Sequence, residues 1–171
     1  MKNLSIVLLA FVTIFALEIS AQTSRAGKIG IGYSGNLSSY SNELGMSIFA
    51  TNDISIEPQI GFQSIDIEDN SATAWKLGLG VLFRLNNFVV TPYVGARFKY
   101  NTVSGGDESY SDLILSAVFG GEYFVSEWFS VGAEMKLNYV KTDEDYSPTY
   151  DIADATIFES EQVLNIRIYF K

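Results

Sequence analysis

The chain contains no cysteine, no histidine and only three prolines in 171 residues, and charged side chains make up just 18%. Without cysteine there are no disulfides, no thiol nucleophile and no thiolate metal cluster. Without histidine the Ser-His-Asp hydrolases, the usual zinc enzymes and His-ligated haem are closed off. Basic residues are scarce: 11 Lys and Arg face 20 Asp and Glu, a net charge of −9. A basic face able to neutralise phosphates is therefore missing, which speaks against nucleic acid as a partner. Long apolar runs are also missing after the first 21 residues, so no transmembrane helix is expected there.

What is present begins with an address. Lys2 supplies a positive start, residues 6–17 form an apolar core of 12, and Ile19-Ser20-Ala21 ends on a small residue. That layout reads as a secretory signal peptide over residues 1–21, too short for a membrane-spanning helix. The remainder, residues 22–171, is expected to be one exported domain.

Its dominant pattern is a period of two, the mark of strands with one apolar face. Eight segments carry it: residues 29–34, 44–50, 54–63, 75–85, 88–99, 113–123, 129–139 and 163–170. No segment shows a 3.6-residue period, so the chain is all-β. Asn52-Asp53, Asn86-Asn87 and Ser126-Glu127 read as tight turns. Longer polar connections are expected around residues 38–42, 66–73, 101–111 and 141–158. Short and long connections then alternate strictly, with tight turns at one end and long loops at the other. Transmembrane barrels of the bacterial outer membrane have this asymmetry and an even strand number. Pro58 and Pro92, in matched motifs, predict a bulge or a strand end near the rim.

The polar face separates the possible barrels. It is rich in small residues, among them Gly30, Gly32, Gly45, Ser47, Gly78, Gly80, Gly95, Ser116 and Gly132. Small residues suit the crowded lumen of an eight-stranded barrel. The same face carries charges of both signs, Glu57, Glu122 and Glu134 with Lys76, Arg84, Arg97, Lys99, Lys136 and Arg167. Buried charges persist only when paired, so these nine residues are expected to form a structural ladder across the lumen. The opposite face has essentially no charge, as contact with hydrocarbon requires. Trp75, Tyr100, Tyr110 and Tyr139 at the loop ends, and Phe88, Tyr123, Trp128, Phe129, Tyr169 and Phe170 at the turn ends, suggest two aromatic belts. The expectation is an eight-stranded antiparallel up-and-down transmembrane β-barrel. A soluble lipocalin-like binding barrel and a narrow gated channel are the alternatives.

With these features the chain resembles the OmpA/OmpX-like outer-membrane β-barrel family, the porin-family β-barrel domain. The likeness rests on the eight-strand rhythm, the Gly-rich polar face and the ending Asn165-Ile166-Arg167-Ile168-Tyr169-Phe170. Members usually end on an aromatic residue, whereas here Lys171 follows Phe170. The resemblance implies a monomer of the cell outer membrane, in contact with membrane lipid and lipopolysaccharide and inserted by the barrel-assembly machinery. The peptidoglycan-binding domain carried by some relatives is not expected here, because the chain stops at the eighth strand.

No catalytic residue, cofactor or metal follows from these patterns. Small relatives that act on lipid rely on a catalytic histidine, which this chain lacks. Glu122 and Glu134 sit on neighbouring strands, but partnership with the lumen cations is the expected role. Asp66, Glu68, Asp69, Asp107, Glu108, Asp143, Glu144, Asp145, Asp151 and Asp154 make the loop end acidic. They are expected either to be simply solvated, to recruit divalent cations that bridge to lipopolysaccharide, or to present an adhesive surface. Their spacing does not match a calcium loop. The function expected is structural or surface-interacting, without catalysis.

Overall fold

A computed structural model describes residues 25–36, 42–67, 70–85, 90–105, 108–142 and 152–170. Eight strands fill them: β1 (Ile29–Asn36), β2 (Asn42–Phe49), β3 (Ile54–Ile67), β4 (Asn70–Arg84), β5 (Val90–Gly105), β6 (Glu108–Ser126), β7 (Phe129–Lys141) and β8 (Thr156–Phe170). Each pairs antiparallel with its sequence neighbours, and β8 closes on β1. The signal peptide expected over residues 1–21 lies outside the described residues.

The alternation in sequence becomes two faces of one wall, because successive side chains on a strand point to opposite sides. The sorting is the reverse of a water-soluble core. Ile31, Leu79 and Leu115 are half exposed on the outside, while Arg84, Arg97, Glu57 and Glu122 are sealed within. Apolar side chains turned out and ions turned in suit a surrounding hydrocarbon phase. They exclude the lipocalin-like alternative, whose apolar side chains would line the lumen. Aromatic pairs sit on the outer face toward the long-loop end, with ring centroids 4.9 Å apart for Phe62–Trp75 and 5.3 Å for Tyr139–Phe158. Trp128 and Phe129 pair at 5.9 Å at the opposite end.

Three expectations about the outline need correcting. The polar stretches 66–73 and 101–111 are largely strand, since β3 pairs with β4 out to Ile67↔Asn70 and β5 with β6 out to Gly105↔Glu108. Backbone pairing is indifferent to side-chain polarity, and Thr, Ser and Tyr tolerate the extended state well. For the same reason β8 begins at Thr156, within the stretch 141–158 expected to be loop. Strand length therefore carries the asymmetry: β1 and β2 have 8 residues each, whereas β6 has 19. The third correction concerns Pro58. It lies mid-strand opposite Leu79, and the register on both sides of it is unchanged, so it makes neither a bulge nor a strand end. Pro92, third residue of β5, is at a strand end as expected. The register shift that does occur falls at Phe124/Ser126, beside the tight turn to β7.

Candidate functional site

The lumen is the only place where this chain gathers reactive side chains in number among the described residues. Its geometry starts from glycine. Gly32 stands directly across from Arg167, Gly78 from Lys99 and Gly80 from Arg97. A Cβ on Gly32 would lie 2.8 Å from Arg167 Cγ, and one on Gly80 would lie 2.7 Å from Arg97 Cγ. Each missing side chain is the space through which a long neighbour leaves the wall and reaches the axis. Gly120 makes the same room for the ring of Tyr93, and Gly30 for that of Tyr169.

The long side chains meet at three glutamates. Glu57 of β3 accepts from Arg97 at 2.7 Å, from Arg84 at 3.2 Å and from Arg167 at 3.4 Å. Ser47 donates to it as well, at 2.8 Å. Glu122 of β6 accepts from Arg84 Nε at 3.2 Å, from Ser130 at 2.6 Å and from the Tyr169 hydroxyl, and lies 3.3 Å from Arg167. Glu134 of β7 is held by Arg97 and by the Tyr93 hydroxyl at 3.1 Å. All six charged groups are buried. Ions in such surroundings are tolerated only because each is matched in charge and hydrogen-bonded. The cluster ties strands β3 to β8 together through the middle of the barrel.

Above it, toward the long-loop end, lies a second layer. Lys99 pairs with Glu43 at 2.5 Å, and Lys136 lies 3.4 Å from Glu161 and 3.9 Å from Glu134. Lys76 faces the same way and is partly exposed. Asn138 donates to Glu159 at 3.0 Å, and Asn36 donates to Glu161 at 3.0 Å. At the turn end the floor is aromatic, with Tyr169 centred 5.8 Å from Phe49 and 5.5 Å from Phe124. Arg25, just before β1, stacks 4.6 Å over Phe124 and donates to Thr91 at 3.0 Å. Burial lowers its pKa from the ordinary arginine value, and the charge of Arg84 adds to that. Asn52 accepts from the amides of Arg25 and Ala26 at 2.9 and 3.0 Å, fixing this segment under the barrel.

All nine residues expected in the ladder face the lumen, and eight of them, Glu57, Arg84, Arg97, Lys99, Glu122, Glu134, Lys136 and Arg167, are drawn into these ion pairs. Glu122 and Glu134 do not act on each other, since each is engaged by arginines. Two expected belt residues are misplaced: Tyr169 is buried on Glu122, and Tyr110 stands on the inward side of β6 in line with Asp112 and Ile114. Phe88 lies outside the described residues. Glu43 and Glu161 were not expected in the lumen. Glu43 precedes the first apolar residue of β2, and Glu161 falls in a polar run without alternating apolar partners. Continuing the inward parity from Gly45 and from Val163 places both of them. Of the acidic loop residues, Asp154 is placed, 3.4 Å from Lys141 on the surface. Among the described residues no group of three or more acidic side chains could hold a metal ion.

The family described as outer membrane protein β-barrel domain matches residues 7–158. Among solved structures, the chain is similar to Neisserial surface protein A, with 15% identity and a TM-score of 0.56 over 84% of this chain and 94% of that one. It is also similar to the N-terminal β-barrel domain of Pseudomonas aeruginosa OprF, with 14% identity and a TM-score of 0.53 over 86% of this chain and 100% of that one. At such identities the likeness is one of fold. No curated protein matches the chain.

Proposed function

Because this chain belongs to the outer membrane protein β-barrel domain family, and so to the cell outer membrane, we propose that it is a closed, non-enzymatic barrel with a structural or surface-interacting role. The observation that carries this reading is the grip of Arg84, Arg97 and Arg167 on Glu57, from three different strands across the lumen. A lumen of eight strands is only wide enough for its own side chains. Here those side chains are cross-linked by charge, so opening a path would mean unpairing buried ions. Each inward carboxylate of the central cluster is matched by at least one arginine, which holds it as a counter-ion.

On this reading residues 1–21 are the export leader, removed on the way out. The apolar belt meets membrane lipid, and the barrel-assembly machinery inserts the chain as a monomer. The long-loop end faces outward. Its acidic residues meet lipopolysaccharide through divalent cations rather than directly, because like charges repel.

The test is functional. Refolded protein in planar bilayers is expected to show no stable unitary current, and unheated protein in detergent to migrate anomalously on a gel until boiled. Steady single-channel steps from the native protein would overturn the closed-barrel reading in favour of a narrow channel.

A further inference from the structure

The ladder between β2 and β3 lapses once. Partners run Leu44↔Ile60 and Gly45↔Gln59, fail at Met46 and Ser47, and resume in the same register at Ile48↔Ile56 and Phe49↔Ser55. A bulge would have shifted the register. The pattern has a simpler cause in Pro58. Opposed residues in an antiparallel ladder alternate between pairs that exchange two hydrogen bonds and pairs that exchange none. Met46 and Pro58 oppose each other at a bonding position, where Met46 can donate but Pro58 has no N–H to return. That one missing bond is shared by the Met46/Pro58 and Ser47/Glu57 pairings and by no others, which reproduces the observed lapse. Toward β4 the pairing runs unbroken past Pro58↔Leu79, as it must if the proline nitrogen faces β2.

The carbonyl of Met46 is thereby left without its ladder donor, in a wall whose outer side is apolar. Met46, Ile48, Ile56 and Leu79 are all exposed there, and hydrocarbon offers no hydrogen bond. Behind the lapse is a small polar pocket with Met46, Gln59 and Arg167 in its lining. Gln59 Oε1 is buried without a hydrogen-bond partner. Two acceptors without donors beside one polar pocket are what an ordered water joins.

We propose that the barrel wall is hydrated from the lumen at Pro58: water in this pocket donates to the Met46 carbonyl and to Gln59 Oε1. The β2–β3 seam is then the part of the wall that opens most readily, since its closing bond is made by an exchangeable solvent molecule.

Hydrogen exchange by NMR, on the full mature protein in detergent micelles, tests this. The Met46 and Ile48 amides point at β3 from one side, and those of Gly78 and Gly80 point at it from the other. Protection at Met46 and Ile48 is expected to be lower by about tenfold, the equivalent of one hydrogen bond. Pro58→Ala, which restores the donor, should raise it, and Pro92→Ala should not. Isotope-edited infrared spectra of carbonyl-labelled methionine should show a water-bonded Met46 band that Pro58→Ala abolishes. Equal protection on the two sides of β3, or a Met46 band without a water-bonded component, overturns the proposal. Both are read on the native protein, so the result stands even if Pro58→Ala fails to fold.

Discussion

Arg97 leaves the wall over Gly80, its direct partner across the β4–β5 ladder, and a Cβ at Gly80 would stand 2.7 Å from Arg97 Cγ. The contact falls near the base of the side chain, where only a turn about χ1 gives relief, and that turn would draw the guanidinium off Glu57 and Glu134. Gly80→Ala is therefore expected to cost about 1–3 kcal/mol, as overpacking does. Gly35→Ala is the control. Its Cβ would meet the Tyr33 ring at an ordinary 3.5 Å, and the change should stay within about 0.5 kcal/mol. Urea unfolding in micelles, followed by tryptophan fluorescence, measures both.

Glu57 balances three arginines, and the balance is local. Glu57→Gln keeps the shape but leaves buried guanidinium charge without its counter-ion, at an expected cost of about 3–5 kcal/mol. Asp154→Asn removes an ion pair whose side chains are 53% and 67% exposed, so it should cost less than about 1 kcal/mol. Comparable losses from the two variants would show that the lumen network does not hold the barrel.

Leu79 is 53% exposed on the outer wall. In a bilayer Leu79→Arg should destabilise the barrel by about 2–4 kcal/mol if the site lies at the midplane. In water it would be harmless. Folding into lipid vesicles, scored by the heat-dependent gel shift, separates the two outcomes.

Arg25 closes the turn end, but from beneath a floor that is already complete. Arg25→Ala should lose about 1–2 kcal/mol through its bond to Thr91 and its stacking on Phe124. It should leave bilayers electrically silent, because Tyr169, Arg84 and Arg167 still cross the lumen above it. A current in this variant would identify Arg25 as the gate.

The central ladder was readable because parity is a strict rule. Once Ile56 and Leu79 face out, Glu57 and Gly80 must face in, whatever their polarity. Where alternation faded, parity had no apolar residue to start from. Glu161 and the start of β8 escaped for that reason, and so did the hairpin extensions to Ile67 and Gly105. Tyr169 was misread because its position near the chain end suggests a belt. Its parity with Arg167 was the better guide.

The sequence by itself determined the strand count, the two faces and the residue types that fill the lumen, since each follows from local alternation along one strand. Only the tertiary structure decided which arginine grips which glutamate, that Lys99 reaches Glu43 from 56 residues away, and that Pro58 leaves a carbonyl without its donor. These depend on how far neighbouring strands slide past one another before the ring closes. Alternation is unchanged by a slide of two residues, whereas every partner across the lumen is exchanged by it.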